Sequence, residues 1–194
     1  MKFRQTWTAI RAMLILTVAL GIVYPLAVTG VGQLALPAQA NGSLIRVDGE
    51  VVGSSLIGQS FADADGNALP EWFQSRPSAA GAGYDGGASS GSNWGPENPD
   101  LVAAIKERRV AIESVDGTTD IPADALTASG SGLDPHISPD YARLQVASVA
   151  EARGLSPRDV SDLVESMIQQ RDLGFLGEPT VNVLQLNIAL AMLG

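Results

Sequence analysis

Apolar and polar positions divide this chain into a front segment with no polar relief and a longer body in which the two alternate. Ala12 to Val31 is a run of 20 residues without a charge, AMLILTVALGIVYPLAVTGV. As a helix rising 1.5 Å per residue it would span about 30 Å, the thickness of a bilayer's hydrocarbon core. Ten of its residues are Leu, Ile or Val, each contributing roughly −0.3 to −0.6 kcal/mol to insertion. A secretory signal peptide would also carry basic residues in front and a small-residue site behind, and Ala38-Gln39-Ala40 supplies such a site. The run exceeds the roughly 7–15 residues of a signal core, so the pattern predicts an uncleaved anchor. Pro25 is compatible with that reading, because helices at membrane depth tolerate proline.

Behind the anchor the period changes. Leu44-Ile45-Arg46-Val47 and Glu50-Val51-Val52 flank Asp48-Gly49, the signature of a hairpin closed by a type I′ turn. Ser55 to Phe61 predicts a further strand. Residues 81–96 contain six glycines with Ser and Asn, and by composition read as a flexible loop. Three helices then begin alike, at Asn98-Pro99-Asp100, Ser138-Pro139-Asp140 and Ser156-Pro157-Arg158-Asp159. Each sets a capping side chain before a proline in the first turn, with an acid close to the positive end of the helix dipole. The first is expected to end near Asp116-Gly117. The second should run unbroken from Pro139 to Arg153 with Gly154 as its cap. The third carries Val160, Leu163, Val164, Met167 and Ile168 as an apolar stripe. Val181 to Leu193 reads as a last helix capped by Asn182. The expected fold class is α+β, short strands early and helices late, behind a single transmembrane helix. The expected division is 1–11 as a cytoplasmic N-terminus, 12–34 as the membrane helix and 35–194 as an extracytoplasmic domain.

Charge fixes the expected orientation. Lys2, Arg4 and Arg11 are the only charged side chains before Arg46, and basic residues in front of a first membrane helix stay in the cytoplasm. The body has nine basic residues against 21 acidic ones, a balance of −12 within the chain's −9. That sign repels phosphate backbones and disfavours a nucleic-acid partner. Cysteine is absent, which rules out disulfides and thiolate metal sites.

Candidate chemistry concentrates in Ser129-Gly130-Ser131-Gly132-Leu133-Asp134-Pro135-His136-Ile137-Ser138, which holds the chain's one histidine. An exported serine hydrolase would use Ser131 as nucleophile, His136 as base and Asp134 as its orienter. No glycine-framed nucleophile elbow accompanies them, and the same residues also read as a structured turn before a capped helix. Ser129 to Gly132 could cradle an anion on backbone amides, though the Lys-Ser/Thr ending of a nucleotide loop is lacking. Neither a transition-metal ligand set nor a calcium-loop spacing is present. Trp72-Phe73 with Arg76 reads either as a core edge with a stacked arginine or as a partner-binding surface. Cleavage after Ala40 would leave a free periplasmic binding protein, the third alternative.

These segments, taken in order, resemble one family. They are Ser54-Ser55-Leu56-Ile57-Gly58-Gln59, Trp72-Phe73 with Arg76-Pro77-Ser78-Ala79, Tyr84-Asp85, Ser90-Gly91-Ser92-Asn93, Ser129 to Pro135 with Ile137-Ser138, and Val181-Asn182-Val183-Leu184 with Leu186-Asn187. The succession resembles the KdpC family, the C subunits of Kdp potassium-transporting P-type ATPases, over nearly the whole chain. The resemblance implies an accessory, non-catalytic subunit of an inner-membrane potassium-import complex. Its implied partners are the ion-pathway A subunit, the ATP-hydrolysing B subunit and the lipid bilayer. The implied role is that of a catalytic chaperone that raises the B subunit's affinity for ATP. No tightly bound cofactor is implied. ATP would be met only in complex with the B subunit, through Gln145 and the loop Ser129, Gly130, Ser131 and Gly132. The expected orientation exports those residues, so an effect on cytoplasmic ATP should travel through the partner subunits.

Overall fold

A computed structural model describes residues 2–193. The chain forms two compact units, Met1–Val52 and Gly53–Gly194. The first begins with α1 (Lys2–Val18), a π-helical turn (Ala19–Val23) and α2 (Tyr24–Ala35). Together these make a helix from Phe3 to Ala35 long and apolar enough to cross a membrane. Pro25 accounts for the π turn. It has no N–H to give to the carbonyl four residues back, and the helix absorbs the mismatch by widening: Tyr24 donates its N–H to Ala19 O. The helix stops at Leu36, whose φ of −136° and ψ of 55° lie outside the helical region that a following proline disfavours. A short α3 (Pro37–Ala40) follows, its end tied back by Asn41, which exchanges hydrogen bonds with Gln33 and donates to Pro37 O at 2.7 Å. Next come β1 (Leu44–Val47) and β2 (Glu50–Ser54). Asp48 and Gly49 both have positive φ, 51° and 86°, as the predicted I′ turn requires.

The second unit is built mainly of helices. In α4 (Pro99–Asp116) the Asn98 side chain accepts from Asp100 N at 2.7 Å, and Gly117 closes the helix at φ 65°. A short α5 (Ala123–Leu126) leads to β3 (His136–Ile137). The remaining elements are α6 (Pro139–Leu144), α7 (Val146–Arg153), α8 (Pro157–Ser166), β4 (Val181–Asn182) and α9 (Val183–Ala191). β3 and β4 pair antiparallel, His136 opposite Asn182 and Ile137 opposite Val181. Helices and short strands together make the domain α+β.

Three local expectations fail, each for a physical reason. The helix expected to run from Pro139 to Arg153 is interrupted at Gln145, with φ −81° and ψ −8°. There Gln145's side chain is engaged outside the helix, its Oε1 accepting from Gln74 N at 2.6 Å. Ser156 precedes α8 as anticipated, but its hydroxyl makes no capping bond. Ser55 to Phe61 forms no strand, and Ile57 makes only an isolated bridge back to Ser54. Ser54 Oγ draws Leu56 N into a turn, and Gly58 N donates to Leu133 O at 2.9 Å.

The core is a continuous apolar cluster. Phe73, Ile137, Val149, Val160, Val164, Val181, Val183, Leu186 and Leu190 are buried, drawn from α7, α8, α9, both short strands and one extended segment. Phe73 is the largest of them and is 0% exposed. Truncating such a ring removes its burial and leaves a cavity that helices on several sides cannot fill. Phe73→Ala should therefore cost about 3–5 kcal/mol, read as a lowered unfolding midpoint of the full chain in detergent; a loss below about 1 kcal/mol would show the site to be slack.

Candidate functional site

The extended segment from Trp72 to Ser78 runs through the body without a strand beside it. Buried peptide groups still need partners, and here side chains supply them. Phe73 N donates to Asn187 Oδ1 at 2.9 Å, and Asn187 Nδ2 donates to Phe73 O at 3.0 Å. One residue on, Gln74 N donates to Gln145 Oε1 at 2.6 Å. Gln145 Nε2 donates to Gln74 O and to Tyr141 O, each at 3.3 Å. Gln145 and Asn187 are 5% and 2% exposed, so both amides are spent inside the fold. Gln74's own side chain reaches Leu69 O, Trp72 O and Phe61 O at 2.9–3.1 Å.

Further along, the same segment meets the Ser-Gly-Ser-Gly loop. Ser78 Oγ donates to Gly132 O at 2.6 Å and accepts from Ala80 N and Tyr84 N. Ser131 O accepts from Ser90 N and the Ser89 hydroxyl. The loop thus turns carbonyls toward its neighbours. Two of its amides are used internally, Gly132 N to Ser129 O and Leu133 N to Ser131 Oγ. Gly132 has φ 66°, and a Cβ there would lie 2.6 Å from Ser90 O and 2.7 Å from Ala80 N. Both its conformation and its packing call for glycine.

Asp134 accepts from Arg76 Nη1 at 3.1 Å and from His136 N at 3.0 Å, with His136 Nδ1 3.6 Å away. Partial burial raises its carboxyl. The bonds from His136 and the charge of Arg76 outweigh that and hold it below the usual carboxylate range. Ser131 does not join this group: its hydroxyl accepts from Leu133 N, and no hydrogen bond links it to His136 among the described residues. Asp134 orients an arginine as much as a histidine, so the serine, histidine and aspartate do not form a relay. Tyr84 donates its hydroxyl to Arg76 O at 2.7 Å, and burial pushes that phenol up to about 12. The arginine stacked on Trp72 is Arg153, 4.9 Å from the ring centroid, and not the nearby Arg76.

Beside Gln145 lies a cleft of about 590 Å³, walled by Leu69, Trp72, Ile112, Val115, Tyr141 and Val149. Its polar side holds Asp116, which accepts from the Ser148 hydroxyl at 2.7 Å. Burial raises the Asp116 carboxyl above its ordinary value, and the Ser148 bond opposes this. None of Ser129, Gly130, Ser131 or Gly132 lines this cleft. Gln145 and the loop are joined through residues 74–78 instead of converging on one space. Gln74 escapes sequence reasoning, and Asn187 enters it only as part of a matched segment, without its role. The one available signal was an asparagine at a core position of the apolar stretch Leu186-Asn187-Ile188.

Residues 6–192 match the family model KdpC, described as K+-transporting ATPase, c chain. The Potassium-transporting ATPase KdpC subunit of Kineococcus radiotolerans is 57% identical over 189 residues, 96% of this chain and 93% of that one. Its counterpart from Caulobacter vibrioides is 57% identical over 183 residues, 94% and 90% of the two chains. That of Mycobacterium tuberculosis is 53% identical over 190 residues, 96% and 97%.

Two carboxylates of this site should respond to acid with opposite signs. Asp134, held below its unfolded value near 4, contributes stability that is present at neutral pH and lost as pH falls through its folded value. Asp116, held above that value, costs stability that appears as pH rises from about 4 through its folded value. Asp134→Asn should therefore lower the midpoint at pH 7 and lower it less at pH 3. Asp116→Asn should raise it at pH 7, with the gain vanishing at pH 3. Unfolding curves of the full chain at both pH values check this, and matching pH responses of the two variants would refute it.

Proposed function

The chain belongs to the KdpC family, the c chain of the K+-transporting ATPase, and from that membership we propose that it is an accessory, non-catalytic subunit of a potassium-import complex. Lys2, Arg4 and Arg11 keep its N-terminus in the cytoplasm and the helix from Phe3 to Ala35 anchors it in the plasma (inner) membrane. The acidic body lies outside. The partners are the A subunit that carries the ion pathway and the B subunit that hydrolyses ATP. Within that complex the chain acts as a chaperone that raises the B subunit's affinity for ATP.

The observation that carries the mechanism is the internal use of Gln145. Its amide oxygen accepts from Gln74 N and its amide nitrogen donates to two backbone carbonyls, and the residue itself is 5% exposed. A nucleotide bound there would have to displace these bonds and strand the peptide of Gln74, a costly exchange. The chain's effect on ATP is therefore transmitted as a coupling free energy through subunit contacts, without direct contact to nucleotide and without a tightly bound cofactor. The competing arrangement, in which Gln145 and the loop Ser129, Gly130, Ser131 and Gly132 touch ATP, is favoured by the resemblance alone.

Removing the subunit should raise the ATP concentration needed for half-maximal hydrolysis. Gln145→Ala should leave the half-buried Gln74 N–H without its partner at a cost of up to about 1–3 kcal/mol, reducing the amount of assembled complex. The complex that does assemble should keep its KM for ATP in detergent, where both membrane faces are accessible. Normal assembly with a raised KM for ATP would establish the direct contact instead.

A further inference from the structure

The membrane helix contains a defect that it does not repair by itself. In a regular α-helix Leu20 O would receive the N–H of Tyr24, but Tyr24 donates to Ala19 O. In a continued π-helix Leu20 O would receive the N–H of residue 25, and Pro25 has none. Gly21 O loses its α-helical donor for the same reason, since that donor is also residue 25. The turn thus leaves Leu20 O without either helical donor and Gly21 O without its regular one. Both lie within the uncharged run from Ala12 to Val31, at a depth where no water is available.

The surface around these carbonyls is also unusually open. Gly21 has no side chain, and a Cβ built there would meet only the Thr17 methyl, at 4.0 Å. Leu20 and Gly21 lie three and four residues after Thr17 and four and three before Tyr24, so the four share a face. That face combines exposed backbone, a hydroxyl and a phenol in a segment made mostly of aliphatic side chains. Lipid tails can fill the space but cannot donate a hydrogen bond. A neighbouring helix with a small residue at the crossing can approach closely, and a Ser, Thr, Asn or Gln on it can reach the Leu20 carbonyl.

We propose that the π-helical turn Ala19–Val23 is the contact point for a transmembrane helix of a companion subunit, which brings a hydroxyl or amide donor to the carbonyl of Leu20, beside Gly21. This rests on the reading of the chain as a subunit of a membrane complex. It adds which face of the helix is engaged and what chemistry the partner presents there. The widened turn is then a receptor for one donor, and Pro25 matters for the N–H it withholds.

The test places photoreactive p-benzoylphenylalanine at Thr17, Leu20 or Ile15, the last on the opposite face, in membranes containing the whole complex. Illumination should join positions 17 and 20 to a companion membrane subunit and leave position 15 bound to lipid. Pro25→Ala returns the N–H at residue 25 and with it a helical donor for Leu20 O, and Gly21→Leu blocks close approach. Each should lower the cross-link yield from position 17 about threefold to tenfold, the range of one interhelical hydrogen bond, while the chain stays in the membrane fraction. Lipid adducts alone, adducts to a second copy of this chain, equal labelling from position 15, or a yield unchanged by Pro25→Ala would each overturn the contact. If the wild-type chain co-purifies with its companions in those cases, only this contact fails. If it co-purifies with none, the subunit reading fails and the contact with it.

Discussion

Two consecutive peptide groups, those of Phe73 and Gln74, constrain the body more than any other feature. Phe73 is buried and Gln74 half-buried, no strand pairs with either, and each residue's N–H and C=O exchange bonds with one side-chain amide. Asn187 and Gln145 act as fragments of a missing sheet, one from α9 and one from the junction of α6 and α7. The geometry is unforgiving, because an amide can satisfy both N–H and C=O of one residue only from within hydrogen-bond range in the plane of the peptide. Fixing two amides on opposite helices fixes the separation of those helices. The Phe73 ring, carried by the same peptide, then fills the core between them. Polar and apolar terms here reinforce each other: burial of the ring holds the amides out of water, and the amides remove the penalty of burying the peptide.

The loop chemistry follows from the same economy. A segment with six glycines between residues 81 and 96 suggests flexibility, yet its contacts tell otherwise. Ser89 and Ser90 donate to Ser131 O, and a Cβ on Gly91 would lie 2.8 Å from Gly130 O. Two glycine-rich loops lie backbone against backbone, and the missing side chains are what permit the approach. Ser78, whose hydroxyl donates once and accepts twice, ties both loops to the central segment. Serines and glycines that look like a catalytic or anion-binding signature are thereby engaged in holding three irregular segments together.

What could be read from sequence was what is encoded locally. Proline at the first helical position after Asn98 and Ser138, the left-handed glycines after α4 and α7, and Asp48-Gly49 in the hairpin each act within a few residues, and each has its expected conformation. The uncharged run likewise states its own length. The misses are non-local. Gln145 interrupts a helix whose sequence shows no break, because it answers a peptide 71 residues away. Asn187 answers one 114 residues away. Ser55 to Phe61 has strand composition but no strand to meet, since its backbone pairs with an irregular loop at Leu133. Arg153, and not the adjacent Arg76, reaches Trp72 because Asp134 has already taken Arg76. No periodicity or motif encodes these pairings, which depend on where the chain returns.

The same non-local use of polar groups bears on how such a subunit could influence ATP. Side chains engaged in the fold are poor candidates for reversible ligand contacts, but they make the body rigid, and rigidity suits a part that acts by being held in one arrangement. On the proposed coupling, a tenfold gain in nucleotide affinity needs only about 1.4 kcal/mol of differential contact between two states of the complex. Far less surface than a stable interface buries could supply it. Linkage then requires the converse: if this subunit favours the ATP-binding state, ATP must tighten the hold of the complex on this subunit by the same factor. An accessory chain with a stiff body and one membrane helix meets that requirement without touching nucleotide. It needs only to bind one conformation of its partners better than the other.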